Sequence, residues 1–452
     1  MTPPPALILA APASSGGKTT MTLGLLRAFR RRGLAPAAAK IGPDYIDPAF
    51  HEVAAGRPSV NLDGWAMAPD RLARLIETQA PAGLLAIEGV MGLFDGAPAP
   101  GASGDGSAAA LARMFSLPVL LVVDAGAQAR SAAALIHGFR SFDPAVQVAA
   151  VIFNRVGGPG HRRVLAAAAA EAGVPALGFV PRRADIALPS RHLGLVQARE
   201  TTDLDALLDR LADLVAAHVD LEAVVALARP ATLNQLATPG ARLVAAEPGP
   251  AVPPPGGRIA LARDDAFAFI YPHLLADWHA AGAEVLPFSP LAGQAPDPSA
   301  DAVWLPGGYP ELHAGRLATD RAWVRGLVAA RDRGAVIFGE CGGYMALGEV
   351  LTDADGRDWP MAGLLGLSTS FAARRLHLGY RLGRMVTGPL EGRLWRGHEF
   401  HYATIIAERG DPLWSSVEDA TGAAVEGAQG LRAGRVAGSF LHLIAAGQSV
   451  AG

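Results

Sequence analysis

One cysteine, Cys341, stands among 452 residues, which excludes an intramolecular disulfide; a lone reactive thiol fits a reducing cytoplasm. Neither sign of charge predominates. Lys and Arg number 39 against 42 Asp and Glu, for a formal net charge of −3, so the chain lacks the basic excess that marks nucleic-acid binding. No apolar run approaches the roughly 20 residues a membrane-spanning helix requires. The short run Ala6–Ala10 precedes Ala11-Pro12-Ala13, but no Lys or Arg leads it, so it reads as a buried first strand rather than a signal peptide. What is present in abundance is apolar residue, 50% of the chain, enough for two or three domains with large cores.

The first half alternates short apolar strands with Ala/Leu-rich helical stretches. Strands are expected at Ala6–Ala10, Ala35–Lys40, Leu84–Glu88, Val119–Asp124 and Val148–Asn154. Helices are expected at Thr19–Arg32, Asp70–Gln79, Ser107–Phe115 and Gly160–Ala172. Such alternation predicts a parallel sheet covered on both faces, with ligands at the carboxyl ends of its strands. A proline-rich stretch over 228–257, sharpest at Pro253-Pro254-Pro255-Gly256-Gly257, reads as a linker between a domain over 1–227 and another over 258–452. Strands at Arg258–Ala262, Glu284–Pro287, Ala302–Leu305 and Val336–Gly339 predict a second α/β domain.

Two reactive elements stand out, one in each half. Ala-Pro-Ala-Ser-Ser-Gly-Gly-Lys-Thr-Thr, residues 11–20, joins a strand to a helix, the context of a phosphate-binding loop. Backbone N–H groups of Ser15, Gly16, Gly17 and Thr20 and the helix start would cradle phosphates. Lys18 would reach the terminal phosphates of ATP, and the Thr19 hydroxyl would ligate Mg²⁺. The usual leading glycine is replaced by Ala11 or Pro12. Glu88, ending its strand, and Asp44, just after the strand ending at Lys40, are candidate Mg²⁺ carboxylates, with Asp124 a more remote one; either can instead cap a backbone amide. Asn154 and Arg155 end the fifth strand and are placed to face the adenine.

Gly339-Glu340-Cys341-Gly342-Gly343 has the form of a nucleophile elbow. The glycines permit a strained turn that presents sulfur, with N–H groups near Gly342 and Gly308 available to an oxyanion. The base must be a histidine, and spacing alone leaves His377, His398, His401 and His442 open. The pair in His398-Glu399-Phe400-His401 lacks the spacing of a helical zinc motif.

With these residues in view the chain resembles the corrinoid a,c-diamide synthases, the cobyrinic and hydrogenobyrinic acid a,c-diamide synthase family of cobalamin biosynthesis. The resemblance covers nearly the whole chain. It is carried by Ser14–Thr20, by Lys40-Ile41-Gly42-Pro43-Asp44-Tyr45-Ile46-Asp47-Pro48, and by Glu88–Gly96. In the second half it is carried by Leu305–Glu311, Gly339–Gly343, Gly397-His398-Glu399-Phe400-His401-Tyr402 and Ser439-Phe440-Leu441-His442. It implies an N-terminal P-loop, dethiobiotin-synthetase-like parallel-sheet domain and a C-terminal class I glutamine amidotransferase-like α/β domain. It further implies Cys341 and His442 as the glutaminase pair. The acid usual two residues after the histidine is absent, Ile444 standing there, so the resemblance implies a dyad. Asp44, Tyr45, Asp47 and Asp95 lie in the most specific segments and are expected to position substrate or metal.

The function expected is ATP- and glutamine-dependent amidation of two corrinoid carboxylates, with Mg²⁺ as cofactor and small molecules as the only partners; a homodimer stays open. Runners-up are nickel-sirohydrochlorin a,c-diamide synthase and cobyric acid synthase. A different class would be a P-loop scaffold ATPase with an inactive amidotransferase domain, against which the intact elbow at Cys341 speaks.

Overall fold

The computed structural model describes residues 2–183, 186, 190–191, 194–195, 197–234, 251–386, 393–426 and 430–447. The chain divides into two compact units, Met1–Ala246 and Glu247–Gly452. The nine strands anticipated from sequence are all present, their ends displaced by at most two residues.

The first unit is built on strands β1 (Pro5–Ala10), β2 (Pro36–Ile41), β3 (Val60–Leu62), β4 (Leu84–Glu88), β5 (Val119–Asp124), β6 (Val148–Val156) and β7 (Ala176–Pro181). They run parallel in the order β3-β2-β4-β1-β5-β6-β7. β8 (Arg229–Pro230) adds antiparallel to β1, so part of the proline-rich stretch belongs to this sheet, while its residues 235–250 lie outside the described residues. β1 and β4 are buried almost throughout, as expected of strands covered on both faces, which is why they read as unbroken apolar runs. Because the strands are parallel, Ala10, Ile41, Glu88, Asp124 and Asn154 all emerge at one edge. Helix α1 (Lys18–Arg31) leaves that edge after β1, with Gly17 at its start in the left-handed region, φ 89°. It buries Met21, Leu23, Leu25, Leu26 and Phe29, and Arg30 and Arg31 in its last turn complement the helix dipole. Arg27 pairs with Asp209 at 2.7 Å on the helix Leu204–His218 packed beside it. α2 (Ile46–Ala55), not anticipated from sequence, follows β2 and carries Asp47 and His51 on one face, four residues apart.

The second unit has a larger sheet of β9 (Arg258–Ala262), β10 (Glu284–Phe288), β11 (Ala302–Leu305) and β12 (Val336–Glu340), parallel in the order β10-β9-β11-β12. After a short helix α3 (Gly342–Leu347) the chain turns β-rich. β13 (Val350–Thr352), β14 (Asp358–Pro360), β15 (Gly366–Ser370) and β18 (Thr404–Arg409) form one small sheet. β16 (His377–Met385), β17 (Leu394–His401), β20 (Trp414–Asp419) and β23 (Leu441–Gly447) form another. β19 (Asp411–Pro412), β21 (Leu431–Ala433) and β22 (Val436–Ser439) extend the larger sheet from β12. Trp304, Trp323, Tyr344 and Phe267 lie fully buried in this unit.

Candidate functional sites

The phosphate loop sits where the sequence places it, and its lining is tighter than the motif alone implies. Ser15 and Gly17 both have positive φ, 64° and 89°. A Cβ on Gly17 would stand 2.1 Å from the Asn154 side-chain nitrogen, so glycine is required there by close approach as well as by φ. Asn154 Nδ2 donates to the Gly16 carbonyl at 3.2 Å, which makes this residue a brace for the loop. Arg155 forms an ion pair with Asp124, at the exposed rim. The Lys18 ammonium donates to the Met91 carbonyl at 2.6 Å. Burial, then the neighbouring Lys40 charge, lowers its pKa below the usual lysine value.

Beneath the loop lies a buried charge network. Glu88 is fully buried; its Oε1 accepts from Thr19 Oγ1 at 2.6 Å and Lys40 Nζ at 3.0 Å, and its Oε2 lies 2.7 Å from His51 Nε2. Lys40 Nζ also donates to Asp47 at 2.6 Å. Burial alone would raise the Glu88 pKa, but Lys40, His51 and Thr19 outweigh it and hold the carboxyl well below the usual range. Burial would likewise lower Lys40, and Asp47 and Glu88 outweigh that, so the ammonium is held charged. Asp44 Oδ1 accepts from Ile46 N at 2.7 Å and Asp47 N at 3.4 Å, so this carboxylate caps the start of α2. Tyr45 occupies the position before α2, and the exposed Asp95 accepts from Gly92 N at 2.8 Å. Thr19 and Glu88 place hard oxygens in contact beside the loop lysine, donors of the kind Mg²⁺ takes with bound phosphates, while Asp44 and Asp47 bond the start of α2 and Lys40.

In the second unit Cys341 stands between β12 and α3 with φ 49° and ψ −104°, a strained conformation for a non-glycine residue. The glycines around it are demanded by contact. A Cβ on Gly343 would lie 1.9 Å from the Leu305 carbonyl oxygen, and one on Gly342 3.0 Å from Gly308 N. The Gly342 and Gly308 backbones thus approach each other beside the sulfur, as an oxyanion site requires. A Cβ on Gly307 would lie 2.3 Å from His442 Cε1, 3.1 Å from its Nε2 and 3.4 Å from Cys341 Cβ. Imidazole and cysteine therefore converge over this glycine. The other three candidate histidines are differently engaged. His401 bonds Glu399 at 2.9 Å and stacks on Phe440 at 3.8 Å; His377 stacks on His401 at 4.6 Å; His398 meets Tyr380 edge-on. Ligand atoms of His377, Glu399 and His401 lie within 4.8 Å of one another. The two rings are parallel to within 5°, however, so their in-plane lone pairs cannot meet at one ion, and Glu399 is also held by Arg381 at 2.7 Å.

Comparison with known proteins finds a match for each half of the chain. Residues 7–196 match the family model described as the CobQ/CobB/MinD/ParA nucleotide binding domain, and residues 258–450 that of the CobB/CobQ-like glutamine amidotransferase domain. The hydrogenobyrinate a,c-diamide synthase of Rhodobacter capsulatus is 54% identical over 447 residues, 98% of this chain and 99% of that protein. The chain belongs to the hydrogenobyrinate a,c-diamide synthase family. The enzymes of that name from Brucella anthropi and Agrobacterium fabrum are 50% and 48% identical, covering 97% and 98% of this chain and 98% and 99% of theirs.

For this member of the diamide synthase family, sequence reasoning named Thr19, Glu88 and Asp47 but assigned nothing to Lys40 or His51, which complete their network. A signal existed: Lys40 is a charge at the end of an apolar strand, and His51 follows Asp47 by one helical turn. Glu340, inside the elbow, was likewise given no role, although burial pushes its carboxyl up to about 8. Burial in the fold also sets the electrostatics of Cys341 and His442. Burial, and next Glu311, pushes the Cys341 thiol above its usual range. Burial, then His398 and His401, pulls His442 down to about 3. Both directions favour a thiol beside a neutral imidazole.

Proposed function

We propose that this chain converts the a and c carboxylates of hydrogenobyrinic acid to amides in cobalamin biosynthesis, using ATP and glutamine. The observation that carries the reading is identity of 48–54% along nearly the full length of three relatives named for that reaction. The choice of the metal-free corrinoid over its cobalt form rests on those names. The chain contains both domains the reaction needs, and no helix among the described residues is long and apolar enough to cross a membrane. A cytoplasmic location suits the single free thiol.

Glutamine is attacked at its side-chain carbonyl by Cys341 sulfur as His442 accepts the thiol proton. Backbone N–H groups at Gly342 and Gly308 hold the oxyanion, and His442 returns the proton to the departing ammonia. Water then releases glutamate and restores the thiol. In the nucleotide domain, the loop over 14–20 and Lys18 bind the phosphates of ATP. Thr19 and Glu88 would hold Mg²⁺, with Asp44 and Asp47 near; the ion supplies charge neutralisation and orientation of the phosphates. A corrinoid carboxylate oxygen attacks the γ-phosphorus and ADP leaves. Ammonia then attacks the acyl phosphate carbon, phosphate leaves, and the amide remains. Lys18 holds positive charge beside the transferring phosphoryl group, and Lys40, whose donors go to Asp47, Glu88 and the Gly89 carbonyl, holds Glu88 in place. Two such cycles give the diamide.

The test is mass spectrometry of products after incubation with Mg·ATP and glutamine, separately with hydrogenobyrinic acid, cobyrinic acid and nickel-sirohydrochlorin. Conversion of two carboxylates in hydrogenobyrinic acid is expected. Ammonia should replace glutamine for a Cys341→Ser variant. Amidation of none of the three acceptors, with free ammonia supplied, would overturn the reading.

A further inference from the structure

A carboxyl in the middle of a sheet core is costly unless its oxygens are bonded, and Glu340 is only 2% exposed. It immediately precedes the nucleophile on β12, where it pairs with Ser439 of β22. Its Oε1 accepts the backbone N–H of Leu443 at 2.8 Å. Leu443 is the residue after His442. The chain between β22 and β23 leaves one sheet and enters another: Cys341 N donates to the Ser439 carbonyl at 2.8 Å, Phe440 intervenes, and β23 then pairs antiparallel with β17.

That second pairing is irregular at the same point. Arg396 stands opposite Ala445 and Gly397 opposite Leu443, so Ile444 is the extra residue of a bulge. Gly397 lies close under His442, since a Cβ there would meet the His442 carbonyl oxygen at 2.3 Å. At the bulge the Leu443 N–H goes to the Glu340 carboxyl. Ile444 also stands two residues after His442, where the acid usual to such a triad is absent. A carboxyl is nevertheless present, supplied from the other side of the elbow, and it acts on the backbone beside the imidazole.

We propose that Glu340 is a positioning residue of the glutaminase centre: by accepting the Leu443 N–H across the sheet boundary it fixes His442 in register with Cys341. The proposal rests on the reading of Cys341 and His442 as the glutaminase dyad. One side chain, one residue before the nucleophile, ties its strand to the residue one after the base. Only an acceptor at that reach is needed, so charge is dispensable and length is not. The raised pKa of this buried carboxyl agrees, since its neutral form still presents an acceptor oxygen.

The experiment compares Glu340→Gln, Glu340→Asp and Glu340→Leu in the full-length enzyme, reading kcat and KM for glutamine and, in parallel, amidation supported by ammonia. Gln preserves the reach and should keep glutamine-dependent turnover close to the parent. Asp draws the acceptor back and Leu removes it. Both should lower the glutamine kcat by about tenfold to a hundredfold, as displacements of about 1 Å in a catalytic pair do. KM for glutamine and ammonia-dependent amidation should stay unchanged. If Leu fails to fold, ammonia-dependent activity is lost with it, and the Asp and Gln pair decides. Full glutamine turnover in Asp, or a Gln variant as impaired as Asp, would overturn the proposal. Cys341→Ser and His442→Asn serve as controls. If either keeps full glutaminase activity, it is the dyad reading that fails; if both abolish it while Glu340→Asp does not, only the positioning role fails.

Discussion

At the scale of single residues, burial decides the chemistry. Cys341 is 3% exposed and His442 2%, and desolvation disfavours the charged form of each. For the thiol this means a raised pKa, for the imidazole a lowered one, about 3. The sign is therefore against a resting thiolate–imidazolium pair, in contrast to cysteines activated by a charged histidine. Alkylation by iodoacetamide in the absence of glutamine should rise by about tenfold per pH unit between pH 6 and 9, in proportion to the thiolate fraction, with no plateau. A rate independent of pH below 7 would reveal a preformed ion pair and contradict this. In the other unit the same burial is answered by pairing. Lys40 has Asp47 and Glu88 as partners, and breaking such a buried pair costs about 3–5 kcal/mol, so its loss would affect folding as well as phosphate chemistry.

At the scale of elements, both sites are assembled from the turns at the carboxyl ends of parallel strands. β1 ends in the phosphate loop, β4 in Glu88, β2 in Lys40 and the start of α2, and β12 in the elbow. Each turn is held to shape by glycine where contact leaves no room. Gly307, after β11, is the case closest to the base, because an added methyl would fall 2.3 Å from the imidazole of His442. Gly307→Ala should displace the ring and reduce glutamine-dependent amidation by about a hundredfold while ammonia-dependent amidation persists. Equal loss of both activities would show instead that the substitution disrupts the fold. The five strands anticipated in the first unit were legible because buried parallel strands are continuous apolar runs. The sheets of β13–β18, β20 and β23 were not. Their strands are short or half exposed, as in the mixed pattern of His377–Met385, and their pairing joins residues far apart in sequence.

At the scale of the whole molecule, each unit has its own sheet and its own core, and the residues named at each site belong to one unit. Ligands should therefore leave distinct footprints. In hydrogen exchange, a non-hydrolysable ATP analogue with Mg²⁺ should protect residues 14–22 and 84–96 and leave 336–345 unchanged. A glutamine-directed diazoketone that alkylates Cys341 should do the reverse. Protection of both regions by either ligand alone would demonstrate energetic coupling between the sites in the absence of turnover.

The order of residues was enough to establish the parallel-sheet character of the first unit, the phosphate loop through Lys18 and Thr19, and the thiol elbow at Cys341. These are local matters, since a strand, a glycine-rich turn and a helix start are contiguous in the chain. Folding in three dimensions brought His442, of the four histidines, to Cys341 over Gly307 and united Lys40, Asp47, His51 and Glu88. It also settled the bracing of the loop by Asn154 and the bond from Glu340 to Leu443. Each depends on strand order and register, which bring residues as much as 138 positions apart into contact. A one-residue slip in any of those ladders would turn the side chain to the opposite face.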